Sequence, residues 1–222
     1  MPEHAPRNTS SLKQFLVFTK FRLSFLVVLS AISGYLFAGG TDLIEITLLT
    51  IGGSFVTAAS NGANQIWEKD IDKLMKRTSS RPLPQGQMSL NFAYISVILL
   101  LIIGSYLLFI INIQCALIGL AAFISYVFMY TPMKAKSSWA VFIGAFPGAV
   151  PPLLGAIAAT NSFGFLPGVL FFVQFTWQFP HFWAIAWVSH DDYQKAGYHL
   201  LPSSLGRSKQ SAFQILIYSV AL

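Results

Sequence analysis

Charge is scarce in this chain and cysteine is almost missing: 10% of its 222 residues are Asp, Glu, Lys or Arg, and Cys115 is the single cysteine. One thiol excludes an intrachain disulfide and a thiolate metal cluster, and within an apolar run it reads as a small buried hydrophobe. No glycine-rich loop of the Walker type is present, so a nucleotide is not indicated. No repeat of about 20 to 50 residues points to a repeat architecture. Low charge, together with 55% hydrophobic residues and a mean hydropathy of +0.61, is far from the balance of a soluble globular domain.

What is abundant is apolar sequence in long runs. A membrane span needs about 20 mainly apolar residues. Runs of that kind cover Phe21 to Ala38, Leu43 to Trp67, Leu90 to Ile111, Ile113 to Tyr130, Trp139 to Ala159 and Phe165 to Val188, and a seventh begins near Gln210. In hydrocarbon such segments must satisfy their backbone internally, as helices do. The expected fold is all-α: a polytopic transmembrane helical bundle with seven spans begun. Residues 1–20 read as a polar cytoplasmic N-terminal segment, mobile over Met1 to Ser11, and residues 21–222 as the membrane domain.

The cations orient this bundle. Arg7, Lys13, Lys20 and Arg22 lie around the start of the first run, and Lys69, Lys73, Lys76, Arg77 and Arg81 follow the second. Lys134 and Lys136 follow the fourth; Lys195, Arg207 and Lys209 follow the sixth. These are all 14 Lys and Arg residues, and they fall on one side, while the opposite turns near Gly39 to Asp42, Asn112 and Thr160 to Ser162 carry none. The positive-inside rule therefore expects the N-terminus and charged loops in the cytoplasm. A net charge of +6 is explained without nucleic acid.

One charged stretch stands out at the end of the second run. Asn64, Glu68 and Asp72 are spaced four apart, which places them on one face of a helix, while Asp70 points elsewhere. Polar groups such as Asn61 and Asn64 inside an apolar run are costly and usually functional. Carboxylates beside an amide oxygen suit Mg²⁺, a hard cation that keeps waters and substrate phosphates in its shell. The neighbouring Lys73, Arg77 and Arg81 suit phosphate oxygens. A diphosphate whose remaining body sits among membrane helices suggests an isoprenoid diphosphate.

These residues also carry a resemblance. NQIWEKDID resembles the NDxxDxxxD signature of the intramembrane UbiA-type prenyltransferases. DKLMKRTSSRPLP, YTPMKAKS, GAVPPLLGAIAA, FTWQFPHFWAIAW and DDYQKAGYHLLP are similar, in order and spacing, to the heme-farnesylating branch of that family (the heme O synthases). The resemblance implies transfer of a farnesyl group from farnesyl diphosphate to a vinyl group of heme b, with water adding, to give heme O. It implies Mg²⁺ held by Asn64, Glu68 and Asp72 with Asp191 and Asp192, and diphosphate held by Lys73, Arg77, Arg81 and Lys195. It further implies membrane lipid as surroundings, a bacterial plasma (inner) membrane, and handover of product to a heme A synthase or to terminal oxidase assembly. The family is expected to have nine spans, so this chain reads as C-terminally incomplete.

The chain departs from the superfamily pattern at three places. Glu68 replaces Asp, Gln65 replaces the second acid, and the second motif, DxxxD, is reduced to Asp191 and Asp192 with Lys195 and Ala196 beyond. Asp192 carries over more firmly than Asp191. His181, after Pro180 in the sixth run, is a heme-iron candidate or a histidine that bonds across helices. His190 and His199 read as solvated loop residues, and Pro147, Pro151 and Pro152 as kinks or as openings for a cavity. Two alternatives remain: a prenyltransferase of an aromatic quinone precursor, and an ion-coupled transporter.

Overall fold

The computed structural model describes residues 10–203 and 205–222, and these form helices joined by turns, with no strand among them. Residues 1–9, which include Arg7 and most of the segment expected to be mobile, lie outside the described residues. The remainder of the expected polar segment is not all irregular. Helix α1 (Ser11–Phe18) begins at Ser10, whose hydroxyl accepts from the Lys13 N–H, and buries Phe18.

Helix α2 (Phe21–Phe37) follows after a sharp break in which Lys20 takes a left-handed backbone, φ 49°. Then come α3 (Leu43–Trp67), the short α4 (Lys69–Asp72), α5 (Leu90–Ile111) and α6 (Ile113–Ile124). A π-helical stretch, Ser125–Tyr130, leads to α7 (Thr131–Met133), followed by α8 (Ala140–Thr160), α9 (Phe165–Val188), α10 (His190–Lys195) and α11 (Lys209–Val220). Short side chains start several of these helices. Asp42 accepts from the Ile44 N–H at 2.7 Å at the head of α3, and Asn112 accepts from the Cys115 N–H at 2.8 Å at the head of α6. Asn112 is the single residue between α5 and α6, so one extended residue both reverses the chain and caps the next helix.

Among the described residues, four helices are long and apolar enough to cross a membrane: Leu43–Trp67, Leu90–Ile111, Ile113–Met133 and Ala140–Thr160. The pair α1 and α2, bent by 50°, makes a fifth if counted as one span. The expected seven spans are not matched by length and composition. Helix α9 has the length but carries Gln174, Gln178 and His181, and α11 has 12 residues. The chain is an integral membrane protein of several apolar helices.

Packing is closest where side chains are smallest. A Cβ at Gly155 of α8 would lie 1.9 Å from the Ala31 carbonyl oxygen of α2, and one at Gly34 would lie 2.2 Å from that of Pro152. Small residues thus let these backbones touch, which is how helices gain contact where lipid offers no hydrophobic drive. Proline in α8 creates a second requirement. Pro152 has no N–H for the Gly148 carbonyl one turn earlier, and the buried Gln178 amide of α9 donates to that carbonyl at 3.0 Å instead. Cys115 is fully buried, with Sγ 3.8 Å from the Leu154 carbonyl, as a small core residue would be. A second apolar cluster, including Met75, Tyr130, Trp183, Tyr193 and Tyr198, joins the loop after α4, the π-helical stretch, α9, α10 and the loop after α10.

Candidate active site

The i to i−4 hydrogen bonds of α3 continue past its end, from Glu68 N–H to Asn64 and from Asp72 N–H to Glu68. The helical face expected from the spacing therefore survives the junction with α4. Asn64, Glu68 and Asp72 are 1%, 4% and 0% exposed, whereas the Asp70 side chain is 77% exposed. Asp70 pairs with the exposed Lys73 at 2.8 Å, so Lys73 faces solvent rather than the buried face.

Each buried polar group has specific partners. Lys20 Nζ donates to Asn64 Oδ1 at 3.3 Å, and Asn64 Nδ2 donates to Thr131 Oγ1 at 3.2 Å. The π-helical turn sets Thr131, whose hydroxyl also bonds the Tyr126 carbonyl five residues earlier at 2.8 Å. Glu68 forms an ion pair with the buried Lys134 and accepts from the Tyr198 hydroxyl at 2.7 Å. Asp72 Oδ2 accepts from Arg81 Nη1 at 2.6 Å, while the Thr78 hydroxyl bonds the Asp72 carbonyl at 2.9 Å. Asp72 Oδ1 is buried with no hydrogen-bond partner.

Burial and charge compete in this cluster. Burial pushes the Glu68 carboxyl up, but Lys134, the Tyr198 hydroxyl and Lys20 together hold it below its usual range. For Asp72 burial outweighs Arg81, and its carboxyl is raised. Lys134 is lowered by burial despite Glu68. A buried carboxylate with an unsatisfied oxygen, facing more cations than anions, is an arrangement that accepts a metal ion and an anion together.

The other expected residues are distributed differently. Asp192 Oδ2 accepts from the Arg77 backbone N–H at 3.0 Å, a bond that holds its carboxyl below the usual range, and Lys195 stands 3.6 Å from Oδ1. Arg77 lies over the Tyr193 ring, 5.7 Å from its centre. Asp192 thus docks the loop after α4 onto α10. Asp191 is exposed and pairs with Arg207 at 3.4 Å, apart from the buried face. Among the described residues no three His, Cys, Asp or Glu side chains converge as a metal cage. His181 is half-buried and stacks on Trp177 with ring centres 4.3 Å apart.

Two further interior amides donate to the segment between α1 and α2. Asn61 Nδ2 reaches the Thr19 carbonyl and Ser24 Oγ, and Gln65 Nε2 reaches the Val17 and Phe18 carbonyls. Their amide nitrogens hold the break between α1 and α2, while Gln65 Oε1, like Asp72 Oδ1, is buried without a hydrogen-bond partner. Lys20, Lys134, Thr131 and Tyr198 escaped the sequence reading. Two of them counted there only as positive charge beside the membrane, since nothing in a loop sequence signals that its lysine will be buried.

The profile of the UbiA prenyltransferase family matches residues 27–222. The chain belongs to that family. It is similar to the protoheme IX farnesyltransferase of Cytophaga hutchinsonii, 49% identical over 96% of this chain and 76% of that protein. The protein of the same name from Christiangramia forsetii is 45% identical over 97% of this chain and 72% of its own length. UbiA-family membership makes the chain a prenyl-group transferase. Among solved structures, a UbiA homolog from Archaeoglobus fulgidus bound to DMAPP and Mg²⁺ superposes with a TM-score of 0.76 at 20% identity, covering 94% of this chain and 74% of that one. A digeranylgeranylglyceryl phosphate synthase superposes with a TM-score of 0.75 at 23% identity over 95% and 74%. At those identities they show a shared fold.

Proposed function

We propose that this UbiA-family chain transfers a farnesyl group from farnesyl diphosphate to a vinyl group of heme b, giving heme O and diphosphate. Its setting is a bacterial inner membrane, with the charged loops in the cytoplasm. The donor and acceptor are supported by the relatives named for this reaction. The observation that carries the chemistry is Asp72, buried with one carboxylate oxygen on Arg81 and the other without a partner.

That free oxygen, with Glu68 and Asn64 Oδ1, would hold Mg²⁺. Two carboxylates and an amide leave room for the waters and phosphate oxygens this ion keeps, and the Archaeoglobus homolog bound to DMAPP and Mg²⁺ supports the assignment. When bound, the ion would neutralise diphosphate charge. Arg81, Lys134 and Lys20, which already point into the buried face, would take the diphosphate oxygens, with Arg77 and Lys195 at the rim. Asp192 would set Arg77 by holding its backbone.

The residues' task is to stabilise charge as it develops. The farnesyl C1–O bond breaks with both electrons leaving on diphosphate, where the buried cations meet them. The vinyl π pair forms the new C–C bond to C1. Water adds to the resulting carbocation and loses a proton, leaving a hydroxyl on the former vinyl carbon. Because water must not reach C1 first, the burial of Asn64, Glu68 and Asp72 matters as much as their charge. Product would pass to a heme A synthase or to an assembling oxidase.

The test is mass spectrometry of products from the purified chain with Mg²⁺, farnesyl diphosphate and either heme b or an aromatic quinone precursor. The expected product is heme b plus one farnesyl group and one hydroxyl group. Prenylation of the aromatic acceptor alone would overturn the reading.

A further inference from the structure

A groove of about 230 Å³ lies between α2, α3 and α5 beneath the bent junction with α1, and none of the chemistry above uses it. Phe21, Phe25, Leu29 and Ile32 of α2 form one wall, with Phe55 of α3 and Leu100 of α5 among the facing residues. No residue of α8 or α9 lines it, and neither do Asn64, Glu68 and Asp72, so it is separate from the buried acid face. Three hydroxyls in the wall donate to backbone carbonyls rather than into the groove. Thr19 Oγ1 reaches the Phe15 carbonyl at 3.0 Å, Ser24 Oγ the Thr19 carbonyl at 3.1 Å and Thr50 Oγ1 the Ile46 carbonyl at 2.6 Å. What such a wall fits is hydrocarbon. From Phe21 to Ile32 the α2 wall rises about 16 Å, close to half of a hydrocarbon core of about 30 Å, so the groove has the depth of one leaflet.

Cations stand at the end where α1 joins α2. Arg22 precedes the lining residue Leu29 by seven positions, which sets it about 20° away around the same helix. Lys13 precedes the lining residue Leu16 by three and shares its face of α1. Both cations are exposed, and among the described residues neither is in an ion pair. An apolar slot one leaflet deep with two unpaired cations at its mouth matches an anionic phospholipid, acyl chain below and phosphate above. A second copy of this chain would have to bring carboxylates to those cations. The exposed acids on the charged side, Asp70 and Asp191, are already paired with Lys73 and Arg207.

The groove wall is also the turn that presents Lys20. Thr19 and Ser24 line the groove and together receive the Asn61 amide, at 3.3 Å each. Lys20, next to Thr19, takes its left-handed backbone there and reaches Asn64 Oδ1. A chain lying in the groove packs against this turn, so its presence braces the backbone from which Lys20 enters the buried face.

We propose that this groove is a structural site for one anionic phospholipid, its acyl chain between α2, α3 and α5 and its phosphate on Lys13 and Arg22, bracing the turn at Lys20. Native mass spectrometry of the purified full chain in detergent, titrated with phosphatidylglycerol or phosphatidylcholine, counts the lipid that stays bound. The parent should retain one phosphatidylglycerol with a Kd about tenfold or more below that of phosphatidylcholine. Lys13→Gln with Arg22→Gln should erase that preference, whereas Lys136→Gln with Lys209→Gln, at exposed cations outside the groove, should keep it. Ser54→Phe fills the groove and should lose both lipids, while Ser54→Ala retains them, which separates blocking from misfolding. Hydrogen exchange over residues 13–24 should slow about tenfold when phosphatidylglycerol is added to the parent and not when it is added to the Lys13 and Arg22 double variant. A parent without preference, or an equal loss in the Lys136 and Lys209 variant, shows only general attraction to a basic surface and overturns the site. Retention unchanged in Ser54→Phe overturns the placement, and displacement of the lipid by farnesyl diphosphate gives the groove to a prenyl chain instead. A dimer that Ser54→Phe dissociates gives it to a second copy, and exchange unaltered by lipid in the parent overturns the bracing.

Discussion

The Tyr198 hydroxyl donates to Glu68 Oε1 at 2.7 Å, joining residues 130 positions apart. Glu68 stands where α3 ends and Tyr198 in the loop after α10, so a single bond fastens that loop to the buried acid face. Among the described residues of that loop no other side chain bonds that carboxylate; Lys134 approaches it from the end of α7.

Tyr198→Phe keeps the ring and removes this bond. A hydrogen bond to a charged group contributes about 1.5–3 kcal/mol, so kcat/KM for farnesyl diphosphate should fall about tenfold or more with the fold retained. Steady-state kinetics beside a thermal unfolding curve separate the two effects, and an unchanged kcat/KM would remove Tyr198 from the site.

Lys134→Met leaves the buried Glu68 carboxylate without its ammonium, which should destabilise the protein by about 3–5 kcal/mol. Adding Glu68→Gln should return much of that stability and none of the turnover. The sign with pH follows from Glu68. Its folded-state value is depressed, so its contribution is present above the ordinary carboxylate value and is lost as pH falls through the lower folded one. Unfolding in detergent, followed from neutral pH downward, should show a plateau and then a decline.

Asp72→Ala and Asn64→Ala should abolish turnover while leaving the protein inserted in the membrane, because each removes an oxygen proposed to hold Mg²⁺. Asp70→Ala, at an exposed ion pair with Lys73, should cost little in either activity or stability. Equal losses at all three positions would contradict the helical-face argument. Mg²⁺ activation curves for Asp72→Asn and Asp70→Ala give a further check, with only the former displaced.

Gln178→Leu should leave the Gly148 carbonyl without a donor beneath Pro152, a penalty of about 1–3 kcal/mol. It should appear in thermal stability. At matched folded fraction the KM for farnesyl diphosphate should be unchanged, since the bond lies between α8 and α9 within the bundle.

A reporter fused after Lys136 should read cytoplasmic and one after Asn161 external, because all the cationic loops lie on one side. The reverse result would overturn the orientation.

Much of this was legible in the residues themselves. The apolar runs over Leu43 to Trp67, Leu90 to Ile111 and Phe165 to Val188 coincide with α3, α5 and α9, because a run of that length and composition can satisfy its backbone in only one way. The face of Asn64, Glu68 and Asp72 was legible for a similar reason, since spacing of four within a continuous helix is local geometry. The separation of Asp70 from that face followed from the same rule.

Other features were settled only by tertiary contact. Asn61 and Gln65 carry the same polar signal as Asn64, yet they hold the break between α1 and α2, because which face of α3 meets which neighbour is a matter of packing. Asp191 and Asp192 are adjacent, yet one pairs with Arg207 in solvent and the other docks the Arg77 backbone. The cations told the same divided story: the sequence by itself put Lys20 and Lys134 on the charged side of the membrane. Only the folded chain turned their ammonium groups inward onto Asn64 and Glu68, because burying a lysine becomes affordable only where distant segments bring oxygen atoms to meet it.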